Sequence, residues 1–464
     1  MTEQPSASGR DLPPEFVELI RNWFGPRADE VLEALREAGV DPTALLGAAG
    51  AGPPGAANIF NQLNQFLRSG SPDGAINWDF ALDAARKASL TKGADPVVAA
   101  AHTAQTHDAF NLADLWLDQA TEFPANSAPG QALSAAAWIE ATLPRWRQLT
   151  TPVAQSLTKA LTWLMDQHAD EHPGAADFTR DASKNMLPLV GSLFGLQLGM
   201  ALGHLSREVF GYTDTGLPLV EPGARALLPG TVAAFARDLQ LPESEVRIFL
   251  AARESAHARL FQRVTWLSDH LYGAVETYAS GITIDLKRLE TMVSEIDPAD
   301  PESLRRAISS GVLAPLLTER QRSALRRLET ALALVEGWVE VVTGEALHQN
   351  LPNLGRLQEM TRRRRAEGGP AEHTLATLVG LELRPRRARQ ARELWQAVTD
   401  HGGGEAREAI WAHPDLLPTS EDLDQPSAFW DRRRAVQEAD AAMDAEIAAF
   451  LDHPEGADPD APAA

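Results

Sequence analysis

The residues best suited to chemistry lie in one segment, Pro242 to Tyr278, reading PESEVRIFLAARESAHARLFQRVTWLSDHLYGAVETY. Val246, Leu250, Arg253, His257, Leu260, Val264, Leu267 and Leu271 follow one another at spacings of four and three. That period places them on a single helical seam. Six of the eight are apolar; Arg253 and His257 are the exceptions, and Glu254 flanks them. A polar group on a core-facing stripe costs several kcal/mol unless it finds a partner, so this is where a site or an internal ion pair is expected. The pentad Arg253-Glu254-Ser255-Ala256-His257 has the spacing of His-Glu-x-x-His. In that arrangement two histidines one turn apart bind zinc and the glutamate activates the metal-bound water as general base. Here the base, Glu254, and the second ligand, His257, are present. Arg253 stands where the first histidine would be, and a guanidinium, permanently protonated, cannot ligate a metal.

Further ligands would have to be histidines or carboxylates, because the chain contains no cysteine. Glu276 follows His257 at a spacing that supplies a third carboxylate ligand in one large group of zinc peptidases. Glu336 flanks a second apolar seam made by Leu325, Leu328, Leu332, Val335, Val339 and Val342, and Glu340 follows one turn later. Gly337, beside it, costs about 1 kcal/mol in a helix interior relative to alanine, which suggests close approach of another element. His270, on the flank of the same segment as His257, is the remaining imidazole near enough to enter such a site. His102, His107, His204 and His413 read as capping, packing or solvated residues.

The elements that must hold these residues are helices. The 464-residue chain is rich in Ala, Leu, Arg and Glu, with no sustained period-two alternation, so the expected class is mainly α with a short or absent sheet. Asn77 is placed to cap a helix. The Gly, Asp, Thr and Pro content of Gly211 to Pro222 marks a loop. We divide the chain into a helical segment and flexible linker over 1–57, a helical region over 58–130, a central helical domain over 131–350, a C-terminal helical region over 351–434 and an acidic tail over 435–464. The tail has eight acids and no Lys or Arg. The net charge of −22 disfavours a nucleic-acid or anionic-membrane binder. Against that background the run Arg362 to Arg365 reads as a solvated helix end paired with acids. The polar residues 1–10 lack a signal-peptide layout, and no apolar stretch is long enough to span a membrane, so a cytoplasmic location is expected.

Several blocks of the sequence together resemble the actinobacterial zincin-like family of zinc-dependent metallopeptidases and hydrolases. They include INWDFALDAAR at Ile76, LSREVFGYTDTGLPL at Leu205, RESAHARLF at Arg253, LVEGWVEVV at Leu334 and AIWAHPDLLPT at Ala409. The resemblance implies a zincin-like helical domain, hydrolase chemistry and zinc. A sister branch associated with deazaflavin-cofactor synthesis is closer to the intact motif and carries a Glu-Gly pair matching Glu336-Gly337. By that match Glu336 is the preferred metal ligand beside His257, with Glu276 second. With Arg253 in the motif, the expectation is a weakened or lost metal site. An Arg253–Glu336 ion pair then occupies the metal's position, with Glu276 the alternative acid. The competing reading is a non-catalytic helical scaffold that binds a protein partner.

Overall fold

A computed structural model describes residues 76–91, 93–171, 191, 194–280, 318–366 and 387–452. The helices and linker expected before residue 76, the glycine pair at 368–369 and the last part of the acidic tail lie outside these residues. The described chain is mainly α. Its helices are α1 (Trp78–Ser89), α2 (Ala100–Leu117), α3 (Ala135–Glu171), α4 (Pro229–Leu239), α5 (Glu243–Arg263) and α6 (Thr265–Ser280). They continue with α7 (Glu319–Leu347), α8 (Leu354–Ala366), α9 (Ala388–Ala409), α10 (Ser420–Asp424) and α11 (Phe429–Asp452). The sheet is short: β1 (Gln131–Ala132) pairs in parallel with β2 (Ala226–Leu227), in the register Gln131 to Ala226. Among the described residues no helix is long and apolar enough to cross a membrane.

The chain separates into two compact units. One comprises residues 1–85, 150–200 and 279–319; the other comprises 86–149, 201–278 and 320–464. In the first, Asn77 Oδ1 accepts from the Phe80 amide at 3.1 Å and caps α1. Helical residues 194–200 lie against α1 so closely that a Cβ on Gly199 would meet the Ala81 carbonyl oxygen at 2.3 Å.

The second unit contains all the candidate site residues named above. Every residue of α5 from Phe249 to Phe261 is buried, and so is every residue of α7 from Ala331 to Thr343. These helices are therefore enclosed on all sides rather than along one stripe, as helices in the middle of a fold are. The polar residues of α5 must then find partners in every direction. Ser255 Oγ accepts from Arg225 at 2.8 Å, and Arg259 donates to Asp118 at 2.8 Å and to the Phe123 carbonyl at 3.0 Å. Gly337 is explained by close approach: a Cβ there would sit 2.6 Å from the backbone of Ala391 and Arg392, so the glycine lets α9 cross α7 in contact. Trp395 of α9 fixes the crossing by donating to the Leu334 carbonyl at 2.8 Å.

The segment Pro242 to Tyr278 is not one helix. It breaks at Val264, whose φ of −97° and ψ of 76° are non-helical. The break falls at Val264-Thr265, two adjacent β-branched residues, which lose side-chain freedom in a helix. The seam residues Val264, Leu267 and Leu271 stay buried, but α6 starts on a new axis, and spacings counted through the break no longer report a shared face.

Candidate functional site

Helix geometry sets the site. Arg253 and His257, one turn apart, project from the same face of α5 toward α7. Arg253 Nη2 donates to Glu336 Oε2 at 2.7 Å, and His257 Nε2 lies 3.0 Å from Glu336 Oε1. A third partner arrives from α8: Arg365 Nη1 is paired with the same Oε1. Glu336 is 4 % exposed and His257 1 %. Burial alone would push the Glu336 carboxyl up, but Arg365, Arg253 and His257 together hold it well below the usual carboxylate range. His257 Nδ1 is 2.8 Å from the Arg253 carbonyl oxygen. A carbonyl can only accept, so Nδ1 donates, which turns Nε2 toward Glu336.

Glu254 follows Arg253 by one residue and therefore points about 100° away. The structure does not bring it into the Glu336 cluster. Its Oε1 accepts from the Tyr212 amide at 2.8 Å and the Ala226 amide at 3.3 Å; its Oε2 accepts from the Thr213 amide at 3.1 Å and the Thr213 hydroxyl at 2.5 Å. The carboxylate thus pins the 211–213 loop and β2 to the central helix. Gly211 is required there, since a Cβ would sit 2.7 Å from Glu254 Oε2 and 2.4 Å from the Ala226 carbonyl oxygen. Burial pushes the Glu254 carboxyl up, with its hydrogen bonds pulling the other way. The charge of Glu254 adds to burial in pushing the Tyr212 phenol up to about 12.

The remaining expected residues are dispersed. Glu276 is exposed on α6, beyond the break at Val264. His270 is half-buried, packs edge-on against Trp266 at 5.8 Å, and is pushed down by burial and by Arg327. His413 caps a short turn, accepting from the Asp415 amide at 3.2 Å.

The arginine run is only partly a solvated helix end. Arg362 and Arg363 are exposed, but Arg364 and Arg365 are half-buried. Arg364 lies over the Phe210 ring at 4.0 Å and pairs with Asp214 at 3.3 Å. Arg365 is the partner of Glu336 that reading the run as solvated misses. A signal for it exists: Arg362 and Arg365 are three apart and share a face, as Glu336 and Glu340 do at a spacing of four.

A family model described as zincin-like metallopeptidase matches residues 76–430. The chain belongs to the zincin-like metallopeptidase family. The family span includes Glu254 and all members of the Glu336 cluster. Among solved structures, a crystal structure from Chloroflexus aurantiacus, described as a candidate hydrolase with a novel fold, is similar with a TM-score of 0.54. It is 20% identical, and the alignment covers 77% of this chain and 99% of that one, a likeness of fold. No curated protein matches the chain.

Zinc is the ion this family implies, and the donors here do not fit it. Tetrahedral zinc needs three or four lone pairs at about 2.0–2.3 Å. His257 Nε2 is turned onto Glu336 Oε1, and Glu336 is already engaged by two guanidinium groups. Among the described residues no group of three His, Asp or Glu side chains is disposed to hold a metal ion.

Proposed function

We propose that this zincin-like family member has lost the zinc-dependent step. In this reading an internal ion cluster of Arg253, His257, Arg365 and Glu336 fills the metal's position, and the protein acts as a helical scaffold that binds rather than hydrolyses. The observation that carries it is the engagement of both oxygens of Glu336. A carboxylate held by two arginines and an imidazole has its charge compensated within the protein, and a metal ion would have to displace those partners. The neighbouring Glu254 is no better placed to act as base, because neutral backbone donors occupy both its oxygens.

The competing reading is a zinc hydrolase with His257 and Glu336 as ligands and Glu254 as base; the family match favours it. Metal analysis of the purified full chain separates the two. Our reading expects no stoichiometric zinc in the wild type and none in the single variant Arg253→His, because Arg365 still holds Glu336. The double variant Arg253→His, Arg365→Gln supplies a second imidazole and frees the carboxylate, and is expected to take up zinc with His257 and Glu336. Tight stoichiometric zinc in the wild type, lost in His257→Ala, would overturn the scaffold reading in favour of the hydrolase.

A further inference from the structure

One turn beyond Glu336 on α7, Glu340 carries a different arrangement of charge. Arg362 of α8 and Arg392 of α9 both approach its Oε1, through Nε at 3.3 Å and 3.2 Å. Neither makes a well-formed hydrogen bond, and Glu340 Oε1 is buried without a hydrogen-bond partner in the described structure. A guanidinium satisfied by a carboxylate normally docks its two parallel N–H groups against both oxygens. Here two arginines crowd one oxygen, each by its inner nitrogen. Because they share that oxygen, the two guanidinium groups are neighbours. Their side chains are 44% and 42% exposed, so both are accessible from water.

The charge around α7 is unbalanced in the same sense. Glu336 and Glu340 face four arginines and His257. The further acid Glu359 meets Arg362 at 3.4 Å but is hydrogen-bonded to Arg363 at 2.7 Å. A local cationic surplus on a chain of net charge −22 is the opposite of the background. The backbone holds it in place: α9 is seated on Gly337 at Ala391 and Arg392, leaving that end of the side chain no freedom to retreat. The overall negative charge repels a polyanion such as nucleic acid or an anionic membrane but not a single anionic group, whose local attraction outweighs a screened distant field.

We propose that Arg362 and Arg392 form a binding fork for one oxyanion group, a carboxylate or a phosphate, at the outer edge of the Glu336 cluster. This gives the scaffold a ligand chemistry. It rests on the cluster's charge and not on whether a metal binds. The fork takes the anion on its outer N–H groups while Glu340 holds the inner nitrogens apart. The group it recognises is a free chain terminus or an acidic side chain in one case, and a phosphorylated small molecule or side chain in the other.

Calorimetric titration of the full chain at constant ionic strength tests the proposal. The probes are inorganic phosphate, acetate, and acetamide as the uncharged control. Saturable binding of phosphate or acetate, with none of acetamide, is expected. Phosphate binding tighter than acetate assigns a phosphate ligand, and the reverse assigns a carboxylate. Arg362→Gln and Arg392→Gln, both at partly exposed positions, should each weaken binding about tenfold. Arg389→Gln, 83% exposed and paired with Glu393, should not. Absence of saturable binding, wild-type affinity in both fork variants, or equal loss in Arg389→Gln would each overturn the fork. Zinc analysis of the same preparation reports separately on the lost-metal reading.

Discussion

Glu254 and Glu336 are equally buried, each 4 % exposed, and stand on the two central helices of one unit, yet their surroundings are opposite. Glu336 is met by three side chains that carry or can carry positive charge. Glu254 is met by three backbone amides and one hydroxyl, all neutral. The first environment stabilises ionisation by Coulomb attraction in a low-dielectric interior. The second offers dipoles only, and burial prevails. Burying the same chemical group therefore has two outcomes, set by what the neighbouring chain segments bring. A helix can supply arginines at chosen spacings, whereas a loop turned inward supplies N–H groups.

The contrast breaks most sharply when each charge is removed. Glu336→Gln leaves Arg253, His257 and Arg365 facing a neutral amide and should cost about 3–5 kcal/mol, the range for breaking a buried ion pair. Glu254→Gln loses one acceptor and turns an NH2 toward amide donors, which should cost about 1–3 kcal/mol. Urea unfolding of the two variants checks the order, and a larger loss at Glu254 would contradict the assignment of environments. Truncating a donor on each side comes next. Arg253→Ala should lose about 3 kcal/mol, the low end of the range, because Arg365 and His257 remain on Glu336. Thr213→Val, nearly isosteric, removes only the hydroxyl and should lose about 1 kcal/mol, since two amides still reach Glu254 from the loop.

The smallest effect is in pH dependence, and its sign differs between the two groups. Glu336 titrates lower in the folded chain than in the unfolded one. Its contribution is fully present above the unfolded carboxylate value of about 4.3 and is lost as pH falls below that. Glu254 titrates higher when folded, so between the unfolded value and its raised one the native state holds the extra proton. Stability from this group therefore declines as pH rises through that window. Urea midpoints measured against pH should show the acid-side loss disappear in Glu336→Gln and the decline on the other side disappear in Glu254→Gln. Indistinguishable profiles for the two variants would mean that the carboxylates share one environment after all.

Much of this fold is legible in the sequence, and the limits have physical causes. The helical class follows from composition and period, and the short sheet from the lack of alternation. Arg253 and His257 attract notice because charged types interrupt an apolar seam, and Gly337 because it is costly in a helix. The break at Val264 is not legible: the hydrophobic period runs through it unchanged, while the axis turns. That turn undermines a ligand search based on the spacing from His257 to Glu276. The partners of Glu254 are hidden for another reason. Three of the four are main-chain groups, of Tyr212, Thr213 and Ala226, and a backbone N–H has no letter in a sequence. Arg365 was concealed by its neighbours, since four consecutive arginines on a helix necessarily include some that face inward.

Arg365 also shapes which sequences can be reached from this one. Replacing Arg253 alone leaves Glu336 held by α8, and replacing Arg365 alone leaves Arg253 on the same carboxylate. Either first step removes one guanidinium from a buried carboxylate without providing three ligands. The paths to a site with three free donors therefore cross variants in which a buried carboxylate has lost a partner. In the language of fitness landscapes, the doubled clamp surrounds the present arrangement with a valley that single substitutions do not cross.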